Sequence, residues 1–485
     1  MNYNKTIQKL QLPLLQYILI VSAWLIFPGC QGKKVSEPVI DTIDETLLDQ
    51  YVYQADPNYR YEVAYQGKKE GYTFYVLRMV SQRWLTENEV DEPDWWHWVK
   101  IVVPDSVQYD TGMLWIGGGA KDDELPADPG DILLQTAMLT NSITAEIHNI
   151  PNQALTFIGD SYGPRFEDEL IAYGWRKFLE GGAKDEDAIW LARLPMTKAV
   201  VRAMDAVSET VERDFEHDLD HFLVSGASKR GWTTWTTTAV DDRVIAIVPI
   251  VIDLLNVVPS FEHHWRNYGF WAPAVGNYVE EGIMDWIRTP EFSRLLEITE
   301  PYSYIERYDI PKYLINATGD QFFQPDSWKF YWDDLPGEKY VRYVPNTGHS
   351  LEGSDALSTL IAYYQYILTK QDRPEFSWKV NGQDMEIYTD PDHPPTEVKL
   401  WQAISEEAPR DFRIDVIGSA WTDSTLIITD DGKYTLHLPL PEDHWKAYFI
   451  EVTYEEEGKL PLKLTSGVSV LPEVYPFEPF EPTDP

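Results

Sequence analysis

The sequence contains only one cysteine and few basic residues. With Cys30 alone, neither an intramolecular disulfide nor a cysteine-based zinc cluster can form. Only 40 Lys and Arg stand against 79 Asp and Glu in 485 residues, so the formal net charge is −39. A phosphate backbone repels such a surface, which argues against binding to nucleic acid and against docking on anionic lipid. Disorder is also disfavoured, because 44% of the residues are hydrophobic and 19 are tryptophan.

Residues 1–30 have the pattern of an export signal. Two lysines precede a short apolar stretch that Pro13 and Gln16 interrupt, which is typical of a signal peptide and not of a membrane span. The stretch ends in LIFPGC at residues 25–30, which resembles a bacterial lipoprotein signal. We therefore expect lipidation at Cys30, a polar tether over residues 31–45, and a protein anchored at the bacterial cell envelope. The alternative is an ordinary signal peptide and a periplasmic or secreted protein.

Beyond the tether, nearly all-apolar strands alternate with helices, which predicts an α/β fold over residues 46–374. Its sheet should be doubly wound and mostly parallel, with an antiparallel hairpin at one edge. Helices are predicted at residues 132–147 and 196–211. Strands are predicted in a hairpin over 59–80 and at 100–103, 112–116, 153–158, 221–225, 243–252, 312–317 and 339–344.

After residue 374 the pattern changes to short, closely spaced strands without a helical period. This predicts a small immunoglobulin-like β-sandwich over residues 375–472. The last segment, 473–485, is rich in Pro and Glu and is predicted to be a frayed or loosely packed surface tail.

Two serines are candidates for a catalytic nucleophile. Ser161 lies in a literal G-x-S-x-G motif, GDSYG, whereas Ser228 lies in GASKRG, whose second glycine comes one residue late. In an α/β-hydrolase the nucleophile follows the second strand after the oxyanion strand. With the oxyanion strand at 112–116 and the next strand at 153–158, that position belongs to Ser228. Arg230 departs from the small residue usual there, and Gly231 is expected to permit the close approach of helix and strand instead.

An acid and a histidine follow in the order that this fold requires. Asp320 comes directly after a predicted strand, with Asp326 as the second choice or as a helix N-cap. His349 follows the next strand and would act as the general base that Asp320 orients. The oxyanion hole would use the backbone N–H groups of Lys229, Gly118 and Gly119. The alternative for the glycine run is a tight turn at the end of a buried strand.

Four sequence runs resemble the PhoPQ-activated pathogenicity-related family. They are VSGASKRGWTTW at 224–235, IGGG at 116–119, GDQFF at 319–323 and NTGHSL at 346–351. The likeness extends over nearly all of residues 45–470. It implies an α/β-hydrolase fold with a Ser–Asp–His site, and it implies no particular substrate.

The aromatic segment 259–308 is predicted to form a helical cap over the nucleophile. Its rings would suit apolar acyl groups or sugar rings, although they could equally serve to pack the cap on the sheet. His263 and His264 lack a metal-binding spacing, and no metal or cofactor is expected.

The leading hypothesis is an exported serine hydrolase, an esterase that acts by acyl transfer. One alternative is a serine peptidase of the prolyl-peptidase type; another is a catalytically inactive surface lipoprotein that binds a partner. The expected substrate is a small-molecule ester or a peptide. Acidic residues are spread along the chain, whereas the neighbours of Ser228 are Lys229 and Arg230. The net charge therefore indicates solubility more than a cationic substrate, which weakens the peptidase alternative.

Overall fold

The computed structural model describes residues 45–406 and 410–483. The predicted signal peptide, lipidation at Cys30 and the tether up to residue 44 lie outside the described residues.

The described strands fall into one large sheet and three smaller ones. They are β1 Arg60–Lys69, β2 Tyr72–Arg83, β3 Asp94–Pro104, β4 Thr111–Ile116, β5 Thr144–Ile147, β6 Leu155–Thr156, β7 Pro164–Arg165, β8 His221–Ala227, β9 Val244–Ile250, β10 Lys312–Ala317, β11 Lys339–Val344, β12 Phe376–Asn381, β13 Asp384–Thr389, β14 Glu397–Ser405, β15 Thr422–Thr425, β16 Lys433–His437, β17 Trp445–Tyr454, β18 Leu462–Thr465 and β19 Ser469–Leu471.

The described helices lie mostly between the strands of the large sheet. The α-helices are α1 Leu47–Tyr53, α2 Asp131–Thr140, α3 Glu167–Glu180, α4 Arg193–Phe215, α5 Lys229–Val240, α6 Val257–Tyr268, α7 Gly276–Glu280, α8 Pro290–Thr299, α9 Ala356–Thr369 and α10 Ile414–Ile417. The 3₁₀ helices are Asp185–Trp190, Pro273–Val275, Ile283–Trp286, Pro301–Arg307, Ser327–Phe330 and Trp332–Asp334.

The large sheet has nine strands in the order β1-β2-β3-β5-β4-β8-β9-β10-β11. Strands β5, β4 and β8 to β11 are parallel, and β1 to β3 form the antiparallel edge. Side chains alternate between the two faces, so Val224 packs in the core shared with α4 and α5, and Leu223 in the core shared with α9. The predicted doubly covered, mostly parallel sheet with an antiparallel leading hairpin is confirmed.

Two of the predicted elements are wrong. The helix expected over 132–147 ends at Thr140, because Asn141 takes a left-handed conformation with φ 49° and ψ 38°. Strand β5 follows and enters the sheet, with all four residues buried on both faces, which hides any alternating pattern. Of the strand expected over 153–158, β6 pairs with β7 outside the large sheet, and Phe157 forms an isolated bridge with Val90. Strand β5 is instead the sheet strand that comes, in chain order, between the oxyanion strand β4 and β8. Ser228 therefore still follows the second sheet strand after the oxyanion strand, as predicted.

The C-terminal part forms two antiparallel sheets, as expected for the region after residue 374. One has the order β12-β13-β16, and the other β15-β14-β17-β18 with β19 beside β17. The large sheet contacts this region directly, since the Tyr313 hydroxyl donates to the Lys463 carbonyl and the Tyr343 N–H to Thr465 Oγ1. The two-domain division at residue 374 stays a prediction.

The segment after residue 472 is held by specific contacts and is not frayed over its described residues. The Arg288 guanidinium donates to the Phe480 carbonyl at 2.7 Å, and the Thr483 N–H donates to Asp285 Oδ1 at 2.9 Å. Arg288 and Asp285 both belong to the helical segment between β9 and β10. The tail thus lies along that segment.

Candidate active site

Ser228 lies on a sharp turn between β8 and α5, with φ 58° and ψ −124°. A left-handed φ is strained for a non-glycine residue and occurs at functional turns. Two glycines make the turn possible. A Cβ on Gly226 would lie 2.8 Å from the Arg230 carbonyl oxygen, and one on Gly231 would lie 3.0 Å from the Gly226 carbonyl oxygen. Gly231 therefore permits the close approach of helix and strand, as the sequence suggested.

Arg230 does not enter the turn; its side chain crosses to the neighbouring loops. Its Nε donates to the Ile150 carbonyl at 2.5 Å, and its Nη2 forms an ion pair with Glu167. The guanidinium also lies against Gly118, where a Cβ would be 2.9 Å from Nη2. Burial would raise the pKa of the Glu167 carboxyl, but the charges of Arg230 and Lys229 outweigh it and lower that pKa to about 2. Arg230 thus fixes the glycine loop to the elbow.

Asp320 and His349 form a hydrogen-bonded pair. His349 Nδ1 lies 2.9 Å from Asp320 Oδ2 and 3.0 Å from Oδ1. Asp320 Oδ1 also accepts from the Phe322 N–H at 2.8 Å, and the His349 N–H donates to Gln321 Oε1 at 2.9 Å. The carboxyl is therefore oriented by a backbone N–H of its own loop, and the Gln321 side chain ties that loop to the backbone of His349.

The C-terminal part supports these two loops. The Ile414 N–H donates to the Gly319 carbonyl at 2.9 Å, next to Asp320. Asn346, three residues before His349, donates to the Trp421 carbonyl at 2.9 Å and accepts from the Trp421 N–H at 2.9 Å. Segment 410–421 therefore holds the loops that carry the acid and the histidine.

The three predicted triad residues follow three strands in the parallel part of the large sheet, with β9 between the first and the second. Ser228 follows β8, Asp320 follows β10 and His349 follows β11, so all three lie at the carboxyl edge of the sheet. This sheet order with a strained elbow at that edge is the α/β-hydrolase fold. Ser161 lies instead on the exposed loop joining β6 and β7. Gly159 and Gly163, which flank it, have no heavy atom within 4 Å of a Cβ position, so that motif is not a packed elbow.

A small cavity adjoins Ser228. Its volume is about 50 Å³, and it lies between the elbow, the helices that follow β9, and the loop that carries Asp320. Its apolar walls are Trp175, Trp232, Ile252, Leu254, Phe261, Val275, Phe322 and Phe323. Phe322 also packs against the His349 ring at a centroid distance of 4.4 Å, so one ring contacts both the histidine and the cavity.

The residues predicted to form the oxyanion hole follow the carboxyl ends of two neighbouring strands. Lys229 is the first residue of α5, so its N–H is among the first-turn amides that have no partner within the helix. Gly118 and Gly119 follow β4, which is the neighbour of β8 in the sheet. Their carbonyl oxygens are engaged by the Asn149 N–H at 2.7 Å and by Gln153 Nε2 at 2.8 Å. The loop is therefore fixed through its carbonyls.

Asp326, the second choice for the triad acid, belongs to a separate buried cluster. It contacts His263 Nε2 at 2.8 Å, Lys329 Nζ at 2.7 Å and Arg410 Nη2 at 2.7 Å. It stands at the N-cap position of the 3₁₀ helix Ser327–Phe330, but its side chain makes no capping hydrogen bond. It is thus committed to an ion-pair network.

His264 lines the cavity as a neutral ring. Its Nε2 accepts from the Ala272 N–H at 3.0 Å, and burial lowers its pKa to about 3. In the described part of the chain, no three His, Cys, Asp or Glu side chains are grouped so as to hold a metal ion. Over the same residues, no helix combines the length and apolarity needed to span a membrane.

Several residues of this site were missed by the sequence reasoning. Glu167 and Arg193 come from segments that carry no catalytic motif, and only folding brings them to the elbow. Gln321 and Asn346 stand in the GDQFF and NTGHSL runs, but the sequence assigned them no role. Glu167 had a local signal, since it stands in an acidic first turn of a helix.

Known proteins similar to this chain include one close relative and several distant structures. The autocrine proliferation repressor protein A of Dictyostelium discoideum is 37% identical over 465 residues, which cover 90% of this chain and 93% of that protein. Acetyl xylan esterase 1 from Thermoanaerobacterium gives a TM-score of 0.45 at 14% identity, covering 66% of this chain and 92% of that one. The acylaminoacyl peptidase of Pyrococcus horikoshii gives 0.39 at 12% identity, covering 65% and 51%. The model of the PhoPQ-activated pathogenicity-related proteins matches residues 48–413, and the chain belongs to that family.

Proposed function

We propose that the protein is a serine hydrolase that cleaves esters through Ser228, His349 and Asp320. The observation that carries this proposal is the hydrogen-bonded pair of Asp320 and His349 at the same sheet edge as the strained elbow of Ser228. A serine on such a turn, followed in chain order by an acid and a histidine, is the arrangement that acyl transfer needs.

Each residue has a defined role in the proposed reaction. With Nδ1 bonded to Asp320, the His349 ring presents Nε2 as the base that takes the Ser228 hydroxyl proton. The serine oxygen attacks the ester carbonyl, and the oxyanion is stabilised by the N–H groups of Lys229, Gly118 and Gly119. His349 then protonates the departing alcohol. In the second half, His349 takes a proton from a water molecule, the water oxygen attacks the acyl carbon, and His349 returns the proton to Ser228 as the acid leaves.

A catalytically inactive partner-binding protein is one alternative. Arg230 would favour it if the side chain lay in the turn and distorted it. Its guanidinium contacts Ile150 and Glu167 instead, and this supports the enzymatic proposal. The other alternative is a prolyl-type peptidase. For that activity, the cavity of about 50 Å³ beside Ser228 would have to receive a proline ring. A panel of p-nitrophenyl esters and peptide p-nitroanilides separates the ester and peptide alternatives.

The test of the nucleophile is labelling with a fluorophosphonate probe, followed by mapping of the adduct. We expect one adduct at Ser228 in the wild type, none in Ser228→Ala, and undiminished labelling in the matched variant Ser161→Ala. Labelling at Ser161, or no labelling of a folded wild type, would overturn the proposal. Asp320→Asn should retain the fold and lower kcat by about 10³- to 10⁴-fold, since His349 loses the partner that fixes its tautomer.

We also propose that the protein is exported and carries a lipid on Cys30. The proposal rests on the sequence of residues 1–30. Metabolic labelling with an alkyne fatty acid, followed by membrane fractionation, tests it against the variant Cys30→Ser. Equal labelling and equal membrane recovery of both proteins would contradict it.

A further inference from the structure

Arg193, the first residue of α4, lines the cavity beside Ser228 and has no carboxylate partner there. It is 4% exposed, its Nη1 donates to the Lys229 carbonyl at 2.9 Å, and its guanidinium stacks over the Trp232 ring at 4.5 Å. Its Nε is buried without a hydrogen-bond partner, and no carboxylate of residues 45–406 or 410–483 lies within 4.0 Å of the guanidinium. A buried guanidinium normally has its donors paired.

The nearby acidic groups are already engaged by other cations. Asp168, which also lines the cavity, contacts Lys229 Nζ at 3.1 Å and accepts from the Tyr278 hydroxyl at 3.0 Å. Glu167 contacts Lys229 Nζ at 2.8 Å and also Arg230. Lys229 and Arg230 thus engage both carboxylates in ion pairs, whereas Arg193 forms an ion pair with neither and feels the charge of Asp168 only at longer range. His264 adds no charge, because burial keeps its ring neutral.

The size of the cavity limits which anionic ligand can pair with Arg193. A volume of about 50 Å³ has room for roughly three to five water-sized groups. Its walls combine aromatic and aliphatic side chains with polar ones, and Arg193 and Lys229 are the cations among them. A short aliphatic chain that ends in a carboxylate matches this lining, and the planar carboxylate matches the guanidinium.

We propose that the cavity binds a carboxylate two or three carbon atoms from the scissile ester, and that Arg193 is the residue that recognises it. This inference rests on the proposed esterase function and names its substrate class: short esters with a free carboxylate. Hydrolysis consumes one water, breaks the bond between the acyl carbon and the alcohol oxygen, and yields the acid and the alcohol. The carboxylate does not take part in these steps and serves only for binding.

The carboxylate can belong to the acyl group or to the leaving group, and two matched substrate pairs separate these sources. For the acyl side, p-nitrophenyl hydrogen succinate is compared with p-nitrophenyl 4-methylpentanoate, in which an isopropyl group replaces the carboxylate. For the leaving-group side, O-acetylglycolate is compared with isobutyl acetate. We expect kcat/KM of the wild type to favour the anionic member of one pair by about tenfold or more. No preference in either pair would overturn the inference while leaving the esterase proposal intact.

Variants at Arg193 test the recognition itself. Arg193→Met should lose the preference by about tenfold or more, measured as the ratio of kcat/KM for the two members of the pair. Arg202→Met on the same helix, whose guanidinium pairs with Asp205, should leave the preference unchanged. If Arg193→Met does not fold, Arg193→Lys replaces it and should lose part of the preference. A preference retained in a folded Arg193 variant would overturn the inference.

Binding without turnover separates this inference from the proposed function. Titration of Ser228→Ala with succinate by calorimetry should give saturable binding that Arg193→Met,Ser228→Ala lacks. Binding of succinate by a protein that hydrolyses no ester would support the carboxylate site and refute the esterase. Absence of binding in the folded Ser228→Ala variant would refute the site.

Discussion

At the scale of single residues, the conformation of Ser228 depends on glycines that hold α5 against β8 and β9. A Cβ on Gly231 would lie 2.8 Å from Ile252 Cγ2 and 3.1 Å from the Ile250 carbonyl oxygen. Backbone oxygens of a central sheet cannot move aside cheaply. The strain of a left-handed serine is therefore imposed by packing on both sides of the turn.

We expect Gly231→Ala to lower kcat/KM for esters by tenfold or more, because the displaced helix carries the Lys229 N–H away from the reacting oxygen. The matched control is Gly276→Ala, where a Cβ meets no heavy atom within 4 Å. Kinetics on p-nitrophenyl acetate and thermal unfolding of both variants measure the effect. Wild-type activity in Gly231→Ala would show that the close approach is not needed.

Asp253 is a buried carboxyl with an altered proton affinity. It follows β9, is 2% exposed, and accepts from the hydroxyls of Tyr331 and Tyr343, the latter at 2.7 Å. Burial outweighs these two hydrogen bonds and raises its pKa from 3.8 to about 7. The native state thus holds a proton here that the unfolded chain releases above about pH 4.

The stabilisation from this proton is complete below about pH 4 and is lost as the pH rises to about 7. In Asp253→Asn, the fall in the free energy of unfolding between pH 5 and pH 8 should shrink by on the order of 2–3 kcal/mol. Urea unfolding at both pH values measures it, with Asp122→Asn, at an exposed position, as control. An identical pH dependence in wild type and Asp253→Asn would contradict the raised pKa.

At the scale of elements, two parts of the molecule depend on the chain that follows residue 374: the acid and histidine loops, and the helical segment between β9 and β10 that is predicted to be the cap. Segment 410–421 bonds to Gly319 and Asn346, as described above. The tail after residue 472 lies against α6, since the Phe477 N–H donates to the Arg266 carbonyl at 3.2 Å, and a Cβ on Gly269 would lie 2.7 Å from the Phe477 ring. Helix α6 in turn carries Phe261 and His264 of the cavity wall.

We expect a chain that ends at residue 472 to keep its large sheet and to lose protection in the cap. Hydrogen exchange should become faster in α6, by about tenfold, because fewer contacts oppose local opening. Strand β8 should exchange at the wild-type rate. The substitution Phe477→Ala should give a smaller effect of the same kind. Unchanged exchange in α6 would mean that the tail does not stabilise the cap.

At the scale of the whole molecule, a net charge of −39 surrounds a site in which charges of both signs lie together. Lys229 and Arg230 form ion pairs with Glu167 and Asp168 next to Ser228, whereas the chain as a whole has nearly twice as many acidic as basic residues. The overall charge therefore describes the surface and its solubility, and it does not set the electrostatic character of the cavity.

Screening of this surface should stabilise the fold. The Debye length falls from about 30 Å at 10 mM salt to about 8 Å at 150 mM, which weakens repulsion among the acidic groups. We expect Tm to rise by about 1–2 °C over that range, measured by scanning calorimetry. Choline chloride at equal ionic strength should have the same effect as sodium chloride if screening is the cause. A fall in Tm would mean that surface ion pairs outweigh the repulsion.

The sequence alone determined the features that depend on order along the chain. Apolar strands alternating with helices gave the mostly parallel sheet, and the chain order of Ser228, Asp320 and His349 matched the carboxyl ends of three strands. It misplaced β5, because a short strand buried on both faces has no alternating pattern to distinguish it from the end of a helix.

Tertiary structure decided what depends on distance in space. In the sequence, Arg230 stands where the elbow usually has a small residue. In the folded chain its side chain leaves the turn, because it contacts Ile150 and Glu167 from distant segments. The lack of an ion pair at Arg193 has the same origin, because the sequence contains an excess of acids and only folding decides which of them reach a given cation. Packing, burial and pairing are properties of neighbours in space, and the sequence does not list these neighbours.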